Sequence, residues 1–392
     1  MSAMIERDLA AQLKRAAGQF PAVTLTGPRQ SGKSTLARAV FPEHPRVSLE
    51  APDIREFALE DPRGFLDQYP DGAVLDEVQR CPELPSYLQD LIDADPRPGR
   101  WILTGSQNLS LLKSVSQSLA GRSAVLHLMP LARSEIARFD NAPDNLNEAL
   151  LAGGYPRIFD QQLDPSDWLG AYVATYINRD VRDISNIADL TAFQRFVELC
   201  AGRTGQLLNY SALAEDCGIS QPTAKNWLSA LEASFLTFRL PAFSSNLRKR
   251  LVKMPKLHFY DTGLVCWLLG IRTVEHLRSH PLRGAIFESW AVSEILKHRV
   301  NAGESGGLFH YRDQRGTEAD LIIEYANELV LVEAKAAQTP AGDLFASAER
   351  VRDVLSRVRP CHAYLAYGGD TAQKRREVQL LPWTRLHEVK WA

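Results

Sequence analysis

The sequence is poor in cysteine, and what it has is scattered. Five cysteines (Cys81, Cys200, Cys217, Cys266 and Cys361) occur in 392 residues, an odd number with no Cys-x-x-Cys spacing. That excludes a disulfide framework and a zinc ribbon, and points to a reducing, cytoplasmic setting. No apolar run approaches the ~18 residues that a membrane helix needs. The opening, MSAMIERDLAAQLKRAAGQF, lacks the apolar stretch of a signal peptide, so no membrane partner is expected. An excess of one charge is also missing: 45 Lys and Arg face 47 Asp and Glu, for a net charge of -2. A polybasic, histone-like protein is thereby excluded, although a single basic segment can hide in such an average. There is no internal repeat, no low-complexity tract and no long Gly/Ser linker. What is present is 45% hydrophobic residues, enough for several packed cores, in a length that suggests two or three domains.

The texture of the chain divides it. Ile5, Leu9, Leu13 and Ala16 share one helical face. Short apolar runs then follow at 22–26, 46–49, 72–75, 101–104 and 125–129, separated by helical or loop segments. Such runs imply a parallel sheet covered on both faces, so the fold class expected is α/β, with this first domain at residues 1–135. Residues 136–190 read as a helical lid or connector. Residues 191–275 give three short helices and a hairpin, the plan of a winged helix. Within it Ser220 is an N-cap and Pro222 fits the first turn of the next helix. Residues 280–392 form a second α/β unit.

The chemistry concentrates first at residues 27–34. Gly27, Pro28, Arg29, Gln30, Ser31, Gly32, Lys33 and Ser34 spell G-x-x-x-x-G-K-[ST], with Thr35 next, between an apolar strand and a helix. The glycines let backbone N–H groups curl around phosphates, and the helix N-terminus adds positive potential. Lys33 is expected to neutralise the β- and γ-phosphates of a bound nucleotide, and the Ser34 hydroxyl to ligate Mg²⁺. The run 73–75 ends in Asp76 and Glu77, at the strand end that faces the ligand crevice of a parallel sheet. Asp76 is expected to hold Mg²⁺ and Glu77 to polarise the attacking water. The next strand ends in Thr104, Gly105, Ser106, Gln107 and Asn108, polar groups placed to sense the γ-phosphate. Arg122, in Ser-Leu-Ala-Gly-Arg, is either a finger that reaches a neighbouring subunit's ATP or a solvated arginine.

GPRQSGKSTL, VLDEVQR, WILTGSQN and SLAGR resemble the bacterial and archaeal AAA+ ATPases joined to a C-terminal domain of unknown function. The likeness continues through GGYPR, YINRDVRDI, LVKMPKLHFYDTGL and the C-terminal strands. It implies that Lys33, Asp76 and Glu77 are the Walker A lysine, the Walker B aspartate and the catalytic glutamate. It also implies that Ser106 or Gln107 is sensor 1 and Arg122 the arginine finger. The working form it implies is a homo-oligomeric ring, possible as a hexamer. No sensor 2 arginine is matched.

Two further clusters bear on substrate. Between Arg239 and Tyr260 there are six basic residues (Arg239, Arg248, Lys249, Arg250, Lys253 and Lys256) and no acid. On a wing, Arg248, Lys249, Arg250, Lys253 and Lys256 would neutralise phosphates of DNA without reading sequence, with Lys225 beside them on the recognition helix. The bland reading is a structural lid or an oligomer contact. In the last unit, Glu288, Asp320, Glu333 and Lys335 resemble the PD-(D/E)xK nuclease pattern, which implies a domain of the restriction-endonuclease type. In that pattern Asp320 and Glu333, assisted by Glu288, bind a metal, and Lys335 orients the water. The function expected is an ATPase that uses ATP and Mg²⁺ to remodel or process nucleic acid, DNA ahead of RNA. The alternatives are a nucleotide-gated switch or scaffold with slow turnover, and an ATP-regulated metal-dependent nuclease.

Overall fold

A computed structural model describes residues 5–106, 115, 117–176, 187, 189–243, 253–313, 316–339 and 342–392. Gln107, Asn108, Arg248, Lys249 and Arg250, with most of the YINRDVRDI segment, lie outside these described residues.

Five strands, β1 (Ala22–Thr26), β2 (Arg46–Ser48), β3 (Ala73–Asp76), β4 (Trp101–Gly105) and β5 (Ser123–His127), form an all-parallel sheet in the order β2-β3-β4-β1-β5. Alternate side chains point to opposite faces, and both faces are apolar. Val23, Leu25, Val74 and Ile102 pack with Leu9, Leu13 and Leu36 of the helices Ala10–Ala17 and Lys33–Val40 and their flanks. Ala22, Leu75, Trp101 and Leu103 pack on the other side with Phe65, Leu88 and Ile92. This is the doubly covered parallel sheet expected. The order matters for function, because β4 lies between the strand that carries the Gly-rich loop and the strand that carries Asp76.

Four short helices follow (Arg133–Ile136, Leu146–Ala152, Pro156–Asp160 and Pro165–Tyr172), and then Leu190–Ala201, Tyr210–Cys217 and Gln221–Ala233. Ser220 does cap the last of these, its side chain accepting from the Thr223 N–H. The hairpin begins only after a turn that ends the preceding helix. Leu236 N–H donates to the Leu231 carbonyl and Phe235 N–H to that of Glu232, with Phe235 left-handed at φ 56°. This helix-ending motif consumes residues 234–236, so β7 runs only from Thr237 to Leu240. A small antiparallel sheet places β8 (Lys256–Phe259) between β6 (Gln206–Leu207) and β7.

The last unit is a six-stranded mixed sheet, β13-β14-β12-β11-β10-β9, built from Leu308–Arg312 (β9), Glu318–Glu324 (β10), Leu329–Lys335 (β11), Cys361–Tyr367 (β12), Gln373–Arg375 (β13) and Val378–Pro382 (β14). Val330 and Val332 face Phe287, Trp290 and Ile295 of the helix Arg283–Asn301, while Leu329 and Leu331 face Phe345, Val351 and Leu355 of Gly342–Leu355. The middle and last units are not separate bodies. One continuous apolar core runs from Leu131 through Phe193, Leu231 and Phe259 to Trp290 and Trp383. Backbone bonds also tie them: Phe243 N–H to the His310 carbonyl at 2.7 Å and His310 N–H to that of Pro241 at 2.8 Å. No helix among the described residues is long and apolar enough to cross a membrane.

Candidate functional site

The loop after β1 is shaped by conformations that few residues accept. Gly27 (φ 149°) lies so close to β5's exit that a Cβ would sit 2.1 Å from the Leu128 carbonyl oxygen. Gly32 (φ 92°) starts the helix Lys33–Val40, and Gln30 is left-handed at φ 65°. A non-glycine residue held in that region marks strain kept at a working site. Lys33 folds across the loop and donates to the carbonyls of Gly27 (3.1 Å) and Pro28 (2.8 Å). Burial pushes its ammonium down to about 8, against the pull of Glu77 and Asp76.

Asp76, at the end of β3, accepts from the Ser34 hydroxyl at 2.8 Å and from the Thr104 hydroxyl of β4. Glu77 is left-handed at φ 59°, and its Oε2 accepts from Ser106 at 3.2 Å and from the Gln79 amide, which also donates to Ser106. The insertion of β4 thus brings Thr104 and Ser106 against the two acids. Of the two sensor candidates, Ser106 sits beside Glu77 and Gln107 lies outside the described residues. Ser34 and Asp76 are adjacent hard-oxygen donors, a set that fits Mg²⁺.

Around these groups is a cavity of about 730 Å³. Its lining includes the charged Lys14, Arg29 and Lys33 and the apolar Ile5, Val40, Leu131 and Phe139. Two features here were not read from the sequence. Arg157, on the helix Pro156–Asp160, lines the same cavity as the Gly-rich loop, and its Nε donates to Gln161 Oε1 at 3.1 Å. The GGYPR motif explains its position: a Cβ on Gly153 would lie 2.4 Å from Asp261 Oδ1, and the Gly154 N–H donates to Asp261 Oδ2 at 2.6 Å. Asp261 also caps the helix Thr262–Leu268, so GGYPR and the Asp-Thr-Gly of HFYDTG form one joint. The second feature is Arg7, whose buried guanidinium donates to Glu135 (2.8 Å), the Ser31 carbonyl (2.7 Å) and the Met129 carbonyl (2.8 Å). It fastens the Gly-rich loop to the start of the helical connector.

Arg122 precedes β5 at the end of the sheet away from this cavity, its backbone carbonyl accepting from Ala22 N–H. Its guanidinium makes a two-point pair with Asp93 (2.6 and 2.8 Å) and contributes nothing to the pocket of its own chain.

The C-terminal cluster corrects one expectation outright. Lys256 is not a nucleic-acid contact: it is 3% exposed, and its ammonium donates to Glu288 Oε1 at 2.7 Å and Asp320 Oδ1 at 3.3 Å. The strand pattern accounts for this, because β8 is covered along its whole length. Asp320 sits at a register irregularity of β10 and accepts from Ala334 N–H at 2.9 Å. Lys335 donates to Glu333 Oε1 at 2.7 Å, while the buried Glu333 Oε2 has no partner. Burial, then Asp320, pushes Glu288 up to about 8 and Glu333 up to about 7. Burial opposes the charge on Lys256, yet Asp320 and Glu288 bind its proton more tightly than water does. The fit to a divalent metal fails in this arrangement. Oxygens of Glu288 and Asp320 are taken by one ammonium, and among the described residues no three His, Cys, Asp or Glu side chains are grouped to hold an ion. The expectation of metal at Glu288, Asp320 and Glu333 is corrected accordingly. Lys225 and Lys253 are exposed, Lys225 lying 5.6 Å from the centre of the Tyr210 ring.

Family models match three consecutive segments: an AAA domain over residues 19–137, a domain of unknown function (DUF8612) over 143–275, and another (DUF4143) over 283–386. The uncharacterized proteins Rv2008c of Mycobacterium tuberculosis and Mb2031c of Mycobacterium bovis are each 31% identical to this chain over 338 residues, covering 86% of it and 75% of theirs. The chain belongs to the family of these mycobacterial proteins. Its N-terminal part is an AAA-type P-loop domain, and that match supports ATPase activity. Among solved structures, the Walker-type ATPase PABY2304 of Pyrococcus abyssi is similar at TM-score 0.45 and 14% identity, over 68% of this chain and 96% of that one. A DNA replication initiation factor reaches TM-score 0.30 at 14% identity, over 50% of this chain and 67% of its own. These scores bear on neither activity nor substrate.

Proposed function

We propose that this family member hydrolyses ATP with Mg²⁺ in the cytoplasm, as a homo-oligomeric ring, to remodel or process nucleic acid, DNA ahead of RNA. The observation that carries the ATP reading is the convergence of Lys33, Asp76, Glu77 and Ser106 at the ends of β1, β3 and β4. Lys33 spans the loop where phosphates are cradled, and Arg157 lines the same cavity. Glu77 is the base that orients the attacking water, and Ser106 holds its carboxylate. Mg²⁺ held through Ser34 and Asp76 would supply charge neutralisation across the β- and γ-phosphates. Arg122 serves a neighbouring subunit's ATP in this reading.

The nucleic-acid reading is supported by the helix-turn-helix at 210–233 with its antiparallel sheet, a winged-helix plan. Gln221, Lys225, Asn226 and Ser229 are exposed on its second helix, and Lys253 is exposed before β8. The C-terminal unit is a nuclease-type platform that binds rather than cuts. A second reading, a nucleotide-gated switch with slow turnover, is favoured by one contact: Glu77 Oε2 is already engaged by Gln79 and Ser106, which restrains it from water. The test is phosphate release by the full chain across duplex, forked, junction and RNA substrates, with Lys33→Ala and Glu77→Gln as controls. Stimulation by DNA of at least about tenfold, lost by about 10²–10³-fold or more in either variant, supports the motor. Slow turnover indifferent to every nucleic acid supports the switch, and turnover that persists in both variants overturns the ATP assignment.

A further inference from the structure

Lys256 reaches the carboxylate cluster from another part of the chain. Glu288 is on the helix Arg283–Asn301, Asp320 on β10 and Glu333 on β11, whereas Lys256 is the first residue of β8 in the middle unit. It is paired in register with Leu207 of β6 on one side and Leu240 of β7 on the other. Its neighbourhood is tied to the last unit as well. His258 Nδ1 lies 3.1 Å from Ser289 Oγ, Ser289 Oγ lies 2.8 Å from Thr204 Oγ1, and His310 Nε2 lies 2.8 Å from the Met254 carbonyl oxygen. The ammonium is therefore delivered by a backbone fixed on both sides, and it stands between Glu288 and Asp320.

A divalent ion bridging Glu288 Oε1 and Asp320 Oδ1 would need that position. A lysine ammonium and a metal ion cannot share it, because like charges at contact repel and both compete for the same oxygens. Asp320 and Glu333 each lie one residue beyond the last cross-strand pair, Leu321–Val332, close enough that Asp320 acts on Glu333. Like charges so placed destabilise a sheet unless a cation is supplied, and Lys256 and Lys335 supply it from inside the protein.

We propose that Lys256 is a built-in counter-cation that takes the place of a metal ion among Glu288, Asp320 and Glu333, so that the wild-type chain uses these carboxylates as an ionic clasp between its middle and last units. The proposal does not rest on the nucleic-acid reading above. It is tested on the full, nucleotide-free chain by titrating Mn²⁺ and following the electron-paramagnetic-resonance signal of the free ion. Wild type and Lys256→Arg should leave Mn²⁺ free at concentrations where Lys256→Met takes up one equivalent, and Asp320→Asn added to Lys256→Met should abolish that uptake. Wild-type uptake that disappears in Asp320→Asn overturns the proposal, and so does a folded Lys256→Met chain that takes up no ion. Should the methionine variant fail to fold, Lys256→Gln enters the same titration. Thermal unfolding gives an independent readout: Asp320→Asn should lower Tm in the wild type and raise it in the Lys256 variant. Equal shifts in both backgrounds would show that the two residues do not act together.

Discussion

Two buried lysines stand beside two or more carboxylates in this chain, and they are in opposite condition. Lys33 donates only to the backbone carbonyls of Gly27 and Pro28, and burial drives its ammonium down to about 8. Lys256 donates to Glu288 and Asp320, which raise its affinity for its proton above that of an ordinary lysine. The first lysine is a desolvated cation that hydrogen-bonds only backbone carbonyls while Glu77 and Asp76 act on it without direct contact, next to a cavity of about 730 Å³. The second already has its anions. The same residue types therefore make a site that gains by taking up phosphate and a site whose cation is already paired within the protein.

That contrast predicts opposite effects on stability. Lys256→Met should cost about 3–5 kcal/mol in urea unfolding of the nucleotide-free chain, because it leaves buried carboxylates without their cation. Lys33→Met should cost little or stabilise, because it removes a charge that burial disfavours. A similar loss in both variants would erase the distinction. A smaller effect concerns Arg157 in the lining of the nucleotide cavity. Arg157→Ala should raise the KM for ATP by about tenfold, which corresponds to one charge-assisted hydrogen bond, and leave Tm unchanged. An unchanged KM would remove Arg157 from the site.

The parts of this account that were legible in the sequence are local. Gly27 to Ser34, Asp76 and Glu77 are read from short motifs at strand ends, and the parallel order of β1 to β5 then brings them together. Arg157 was not legible, because its place depends on Gly153 and Gly154 closing on Asp261, more than 100 positions away. GGYPR and HFYDTG carried that signal as two motifs, with nothing in either to show that they touch. Arg7 and Glu135 escaped for the same reason, at a separation of 128. Lys256 was misread because charge was counted by segment. A basic run with no acid looks like an exposed wing, but alternation along Lys256, Leu257, His258 and Phe259 in a central strand buries all four. The partner acids, Glu288 and Asp320, lie in a different unit. Phe235 shows the limit on boundaries, since an apolar residue that looks like strand takes the left-handed position where a helix ends.

The most direct test of the contrast is the proton balance of ATP binding. Burial lowers the Lys33 ammonium to about 8, so near that pH the free chain holds it partly deprotonated, and bound phosphates favour its proton again. Calorimetric titration of the full chain with Mg-ATP near pH 8, in two buffers of different ionisation enthalpy, should therefore show net proton uptake. Lys33→Arg, whose guanidinium stays charged, should show none. Identical heats for the wild type in both buffers would contradict the claim that Lys33 is a cation waiting for its anion.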